Sequence, residues 1–403
     1  MGISISEIKK NQQIRNRNSE IRNQKMHILI APNAFKNSLD ATQVAAAIEQ
    51  GLKLSRLDCT TACFPIADGG DGTGSLIVET CKGVVKWKEV HDPFGRIIRA
   101  SFGLIDDGKT AVIEMADASG LRLLKKDELD PLLASSYGTG ELIKFALDEG
   151  VSKIIIAMGG SATVDGGCGI LSALGVSFSN AQGHSLRAIP GDLINMAKVD
   201  ISALDKRVYN CELVVLCDVD NKLLGPHGAA YVFGPQKGAT PKAVNILDDF
   251  LKNFAAISHI KSGINMAAIK HSGTAGGAAA GLHVWLDAKM VNGTDYFLSL
   301  TNFDDALEGS DLLITGEGSI DRQTLQGKGP YGVALRAKDH QIPVIGIAAK
   351  IPLEQDDDLQ DYFDTLVSIS NEPADMITAM KNTMENLIRT ARGIGNLIAL
   401  KYG

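Results

Sequence analysis

Short apolar runs alternate with longer amphipathic stretches along most of this chain, the pattern of parallel strands joined by helices. The runs at 28–31, 154–158, 213–217, 311–315, 343–348 and 364–369 are short and mostly aliphatic, as strands covered on both faces require. Helices are expected over about 40–54, 75–81, 135–150, 168–174, 241–256, 327–338 and 375–400. In the first of these Asp40 is the N-cap, and Val44, Ala45, Ile48 and Leu52 form the inward face. The last carries an apolar stripe of Met380, Met384, Leu387, Ala391 and Leu397, read as core. Between 92 and 124 the period changes. Runs at 97–102 and 110–115 alternate around Asp106-Asp107-Gly108, a hairpin signature that interrupts the strand–helix order and opens an inserted domain. At 273–282 small residues crowd together, which close helix–backbone contact explains as well as the approach of a ligand does.

At 403 residues the chain exceeds one compact core, so two domains are expected. Residues 1–25 are polar, rich in Asn, Arg and Lys, and give way to strand at the second methionine, Met26; they read as an extension outside the fold. A formal net charge of −7 and the lack of a Lys/Arg stripe interleaved with aromatics argue against a nucleic-acid surface. No run is long enough to span a membrane and no signal-peptide core begins the chain, so a cytoplasmic protein is expected. Six cysteines form no C-x-x-C pair, which points to reduced thiols rather than to zinc or a disulfide framework.

Candidate chemistry gathers where strands end. The run at 154–158 leads into Gly159-Gly160-Ser161-Ala162-Thr163-Val164-Asp165-Gly166-Gly167. Its glycines would bring backbone N–H groups to a phosphate, Ser161 and Thr163 add hydroxyls, and Asp165 places a carboxylate beside the bound group. The alternative is a tight turn in which Asp165 caps the next helix. Asp68 and Asp71 stand among Gly69, Gly70, Gly72 and Gly74, suited to Mg²⁺ or a substrate hydroxyl, or to turn and cap roles. Lys36 and Ser38 follow the first strand, where open α/β sheets bind ligands; a solvated loop is the alternative for the lysine. Asp218 ends another strand, Lys237 sits in a Gly-Pro-Gln-Lys-Gly turn, and Gly316-Glu317-Gly318, Asp321 and Lys328 close the set. Lysines for phosphate charge, carboxylates for Mg²⁺ and one carboxylate to accept a proton are the inventory of phosphoryl transfer. Neither G-x-x-x-x-G-K-[ST] nor a protein-kinase H-R-D is present.

These stretches resemble the bacterial glycerate kinase family that is unrelated to P-loop and protein kinases. The resemblance runs from Ile28 almost to the end, through Ala31-Pro32 with Phe35-Lys36 and Ser38-Leu39, Ala67-Asp68-Gly69-Gly70, Ser136 with Gly138-Thr139-Gly140-Glu141-Leu142, the 159–167 loop, Phe233-Gly234-Pro235-Gln236-Lys237-Gly238, and Thr315-Gly316-Glu317-Gly318 with Asp321. It implies an α/β fold with a Rossmann-like, doubly wound, mostly parallel domain made by both chain ends (26–90 and 285–403) and a second α/β domain inserted at 91–284. It also implies ATP- and Mg²⁺-dependent phosphorylation of glycerate in the cleft between the domains, with a homodimer left open. The chain departs from the family pattern at Asn33-Ala34, Asp71, Val164 and Ser319, where Asp-Ser, Glu, Asn and Arg are usual. On this reading Asp165, Asp68 and Lys36 are catalytic, with Asp165 the proton acceptor. Asp218, Glu317 and Asp321 face the metal. Ser38, Gly69, Gly70, Asp71, Gly159, Gly160, Ser161, Thr163, Gly166, Gly167, Lys237, Gly316, Gly318 and Lys328 contact phosphate, nucleotide or substrate. Two other readings are a nicotinamide-dependent oxidoreductase, for which no G-x-G-x-x-G exists in the central loop, and a binding protein that has lost turnover.

Overall fold

The computed structural model describes residues 25–354 and 356–402, so the expected extension lies almost wholly outside the described residues. The fold is α/β. In chain order its strands are β1 (Met26–Ile30), β2 (Cys59–Cys63), β3 (Val84–His91), β4 (Ile97–Ile105), β5 (Thr110–Glu114), β6 (Lys153–Ala157), β7 (Ser177–Ser179), β8 (Ser185–Leu186), β9 (Lys198–Asp200), β10 (Glu212–Cys217), β11 (Lys289–Asn292), β12 (Leu312–Ser319), β13 (Val344–Lys350) and β14 (Thr365–Ser368). The described residues divide into two compact units, one of 25–66, 302–325 and 330–402, the other of 67–301 and 326–329.

The first unit holds a parallel sheet in the order β14-β13-β12-β1-β2. Helix α1 (Ala41–Lys53) starts in a capping box, with Gln43 N–H donating to the Asp40 carboxylate and the Asp40 N–H to the Gln43 side chain. Its apolar face Val44, Ala45, Ile48 and Leu52 is buried with Leu387 and Ala391 of the C-terminal helix. Gly51 permits the approach, since a Cβ there would stand 2.4 Å from the Ile388 carbonyl oxygen. The single helix expected over 375–400 is two, Met376–Lys381 and Thr383–Tyr402, with Asn382 between them. Leu397, expected in the core, is 69% exposed, so the buried stripe is narrower than the spacing suggested.

The second unit holds a six-stranded sheet, β11-β10-β6-β5-β4-β3, and a small sheet, β8-β7-β9. β11, β10, β6 and β5 run parallel, while the β3–β4–β5 meander is antiparallel, as the hairpin signature requires. β6 lies inside the sheet and Ile154, Ile155, Ile156 and Ala157 have no exposed surface, which accounts for its unbroken apolar run. Residues 67–90 and 285–301, expected with the chain ends, lie in this unit. The helix after 67, α2 (Thr73–Thr80), packs on β4 and β5, and β3 pairs with β4 along its whole length. The helix expected to end near 256 continues to Ser262, since Phe250 and Phe254 stack in the core and Ser258 accepts from the Trp285 indole. The small residues at 273–282 serve packing: a Cβ on Gly281 would lie 2.0 Å from the Gly166 carbonyl oxygen.

Candidate active site

In the second unit the loops after β5, β6 and β10 gather with the Asp68–Gly72 loop. The β6 loop differs from the expected open phosphate nest. Both Asp165 oxygens are occupied: Oδ2 accepts from Ser136 N–H (2.8 Å), Ser136 Oγ (2.7 Å) and Gly169 N–H (3.1 Å), and Oδ1 from Gly167 N–H (3.1 Å). Gly166 N–H donates to Gly276 O, Ala162 N–H to Ser119 O and Ile170 N–H to Ser136 Oγ. The amides of Gly166 and Gly167, expected to face an anion, are thus used within the protein. Asp165 has no exposed surface. This placement fits the helix-capping alternative and does not fit a proton acceptor, which must reach the substrate. The acid organises the short helix Cys168–Ala173 and ties it to the start of Tyr137–Asp148.

A small opening lies beside this knot. A cavity of about 90 Å³ is lined by Gly159, Gly160, Ser161, Asp218, Gln236 and Lys237, among others. Lys237 is 3% exposed, and its ammonium donates to Ser161 Oγ at 2.9 Å and Thr163 O at 2.7 Å. Burial lowers its pKa to about 7, against the opposing pull of Asp165 and Asp218. Asp218, just past β10, is half-buried, and a Cβ on Gly69 would lie 3.4 Å from its N. Gly69, at φ +96°, therefore needs to be glycine on conformational grounds alone.

The Asp68–Gly72 loop leans on the same surface. Gly159 N–H donates to Gly69 O at 3.1 Å, and a Cβ on Gly159 would stand 2.1 Å from the Gly70 carbonyl carbon. Gly70 N–H donates to Asp68 Oδ1 at 3.0 Å. The Asp71 carboxylate rests against Gly160 and accepts from Arg122 at 2.7 Å, while the second arm of Arg122 meets Asp117. Glu114 is buried beneath, accepting from Gly72 N–H and Ser75 N–H. Burial, with Asp71 and Asp117 adding repulsion, pushes its carboxyl up to about 7. Arg122, Asp117 and Glu114 were not singled out from the sequence. For Glu114 the signal was present, a lone acid inside the apolar run Ala111-Val112-Ile113-Glu114-Met115-Ala116.

The remaining candidates lie in the first unit, apart from Lys328, which is half-buried in the 326–329 segment of the second. Lys36 is exposed after β1, and Ser38 Oγ donates to Met380 O at 2.7 Å. Glu317 is 7% exposed and accepts from Thr324 Oγ1 at 2.8 Å; Asp321 accepts from Gln323 N–H at 2.8 Å. Gly316 serves the sheet, since a Cβ there would lie 2.1 Å from Ile347 O, whereas Gly318 has open space. Among the described residues no three His, Cys, Asp or Glu side chains cluster as a metal cage.

The Lys237 ammonium, the Ser161 hydroxyl and the Asp218 carboxylate around one cavity of an α/β fold are the groups an α/β phosphotransferase uses. The family model for the glycerate kinase family matches residues 28–399. Curated glycerate kinases are similar over most of their length: that of Bacillus subtilis is 43% identical, covering 93% of this chain and 98% of the relative, and that of Halalkalibacterium halodurans 46%, covering 80% and 85%. The glycerate 2-kinase of Escherichia coli is 39% identical over 93% of this chain and 98% of its own. The crystal structure of a "putative glycerate kinase 2" from Salmonella typhimurium LT2 superposes with a TM-score of 0.78 at 41% identity, covering 94% of this chain and 99% of that one. The chain belongs to the glycerate kinase family, and the oxidoreductase alternative falls with that result. No helix among the described residues is long and apolar enough to cross a membrane.

Proposed function

We propose that this enzyme transfers the γ-phosphoryl group of Mg·ATP to the 2-hydroxyl of glycerate in the cytosol. The observation that carries the reading is Lys237, an ammonium buried in the wall of a small cavity that also presents Asp218, Gly160 and Ser161. A buried cation without a carboxylate partner within bonding distance is costly, and a phosphate group is the ligand that offsets the cost. Mg²⁺ would neutralise phosphate charge during transfer, and Asp218 is the carboxylate of this cavity that would hold it.

With Asp165 enclosed, Asp68 is assigned the proton. It is half-buried, in a loop whose Gly69 carbonyl accepts from the N–H of the cavity-lining Gly159. The glycerate hydroxyl oxygen bonds to the γ-phosphorus, its proton passes to Asp68, and the bond to the β–γ bridging oxygen breaks to release ADP. The 2-position follows the name of the Escherichia coli relative. Purified protein with ATP and Mg²⁺ should release ADP only when glycerate is added. Absence of turnover with both enantiomers overturns the proposal.

A further inference from the structure

Glu114 ends β5 with 3% of its surface exposed, and its carboxylate serves the N-terminus of α2 rather than its own neighbours. Oε1 accepts from Gly72 N–H, and Oε2 accepts from Ser75 N–H at 3.3 Å and Ser75 Oγ at 3.5 Å. The N-cap residue of α2 is Gly72, which has no side chain to do this, so the cap comes from a residue about 40 positions downstream. Gly74 makes room: a Cβ there would lie 3.1 Å from Glu114 Cβ. Thr73 Oγ1 accepts from Gly69 N–H at 3.1 Å and Thr73 N–H donates to Gly70 O at 3.2 Å, so the first turn of α2 grips the loop that precedes it. Every link from Glu114 to Asp68 is a hydrogen bond or one peptide step.

We infer that Glu114 is a positioning residue, capping α2 from a distant strand so that the Asp68–Gly72 loop presents Asp68 and Asp71 in a fixed geometry. The inference rests on the proposed proton-accepting role of Asp68. Glu114 does not line the Lys237 cavity, so nucleotide binding there should not depend on it. A displacement of about 1 Å at a reacting group costs on the order of 10² in rate, which sets the expected scale.

Glu114→Gln and Glu114→Ala are compared with wild type and Asp68→Asn, varying ATP and glycerate separately and counting folded enzyme by its thermal transition. The alanine variant should lose kcat by on the order of 10² with the KM for ATP unchanged. The glutamine variant should recover about tenfold of that loss, because its amide oxygen still accepts from Gly72 N–H. Amide exchange should quicken at Gly72 and Ser75 in Glu114→Ala and at Ser75, which loses its acceptor, in Glu114→Gln, and the latter reading stands even where the alanine variant does not fold. Wild-type kcat per folded molecule in the glutamine and alanine variants, beside an inactive Asp68→Asn, overturns the inference and leaves the proposed function intact. A fully active Asp68→Asn overturns the role of Asp68 and the inference with it.

Discussion

Asp165→Asn separates a structural acid from a chemical one. The wild-type carboxylate receives four hydrogen bonds inside the protein, three on Oδ2 and one on Oδ1. The asparagine oxygen can take the Oδ2 position and keep its three donors, now without charge assistance, at a loss of about 1 kcal/mol each. Its NH₂ group then faces the Gly167 N–H, donor against donor, and leaves that buried amide unpaired at a cost of about 1–3 kcal/mol. The sum is about 4–6 kcal/mol. For a unit of this size the melting temperature should fall by roughly 10–20 °C. The assay is thermal unfolding, followed by turnover measured well below the new transition and normalised to folded enzyme. Turnover per folded molecule should stay within about threefold of wild type, because the acid has no path to substrate. A variant that melts like wild type yet loses on the order of 10² in kcat would refute the reasoning and return the proton to Asp165.

Other outcomes follow from the same geometry. Lys237→Met should abolish measurable ATP binding by calorimetry while keeping the fold, and unchanged affinity would remove the lysine from the nucleotide site. Lys237 also sets a pH dependence: it titrates at about 7 in the folded protein against 10.5 ordinarily, so between those values the unfolded chain binds the extra proton. Unfolding free energy should therefore rise with pH across that window, and urea titrations of Lys237→Met should show the slope removed. Gly159→Ala forces a Cβ to within 2.1 Å of the Gly70 carbonyl carbon, so the Asp68–Gly72 loop must move; kcat should drop at least tenfold, checked by steady-state kinetics.

What the sequence disclosed and what it hid divide along physical lines. The unbroken apolar runs of β6, β10, β12 and β13 were legible because a strand buried on both faces has no polar alternation. The Asp40 cap was legible because capping is local. The edges of the units were not. β3 carries exposed Val84, Val85 and Trp87 and is assigned to its unit by pairing with β4, a partner that residue spacing does not name. Of the candidate residues, Lys237, Asp218, Asp68, Asp71, Gly159, Gly160 and Ser161 are gathered in one region of the second unit, as strand-end chemistry predicts. The surroundings of Asp165 were not legible, because a carboxylate in a glycine loop looks the same in sequence whether it faces a ligand or four internal donors. Ser136, which supplies two of those donors, is 29 residues away. Glu114 and Arg122 escaped notice for the same reason, since their partners at Gly72, Ser75 and Asp71 lie some 40–50 positions upstream.

The central claim, phosphoryl transfer to the 2-hydroxyl of glycerate, is tested most directly by phosphorus NMR of one reaction mixture containing the purified enzyme, Mg·ATP and glycerate. A new phosphomonoester resonance, split into a doublet by the single proton on C2, should grow in step with ADP. A triplet would place the phosphoryl group on the 3-hydroxyl and contradict the assigned position. A spectrum holding only ATP, or only ADP and inorganic phosphate without a monoester, would contradict the kinase itself.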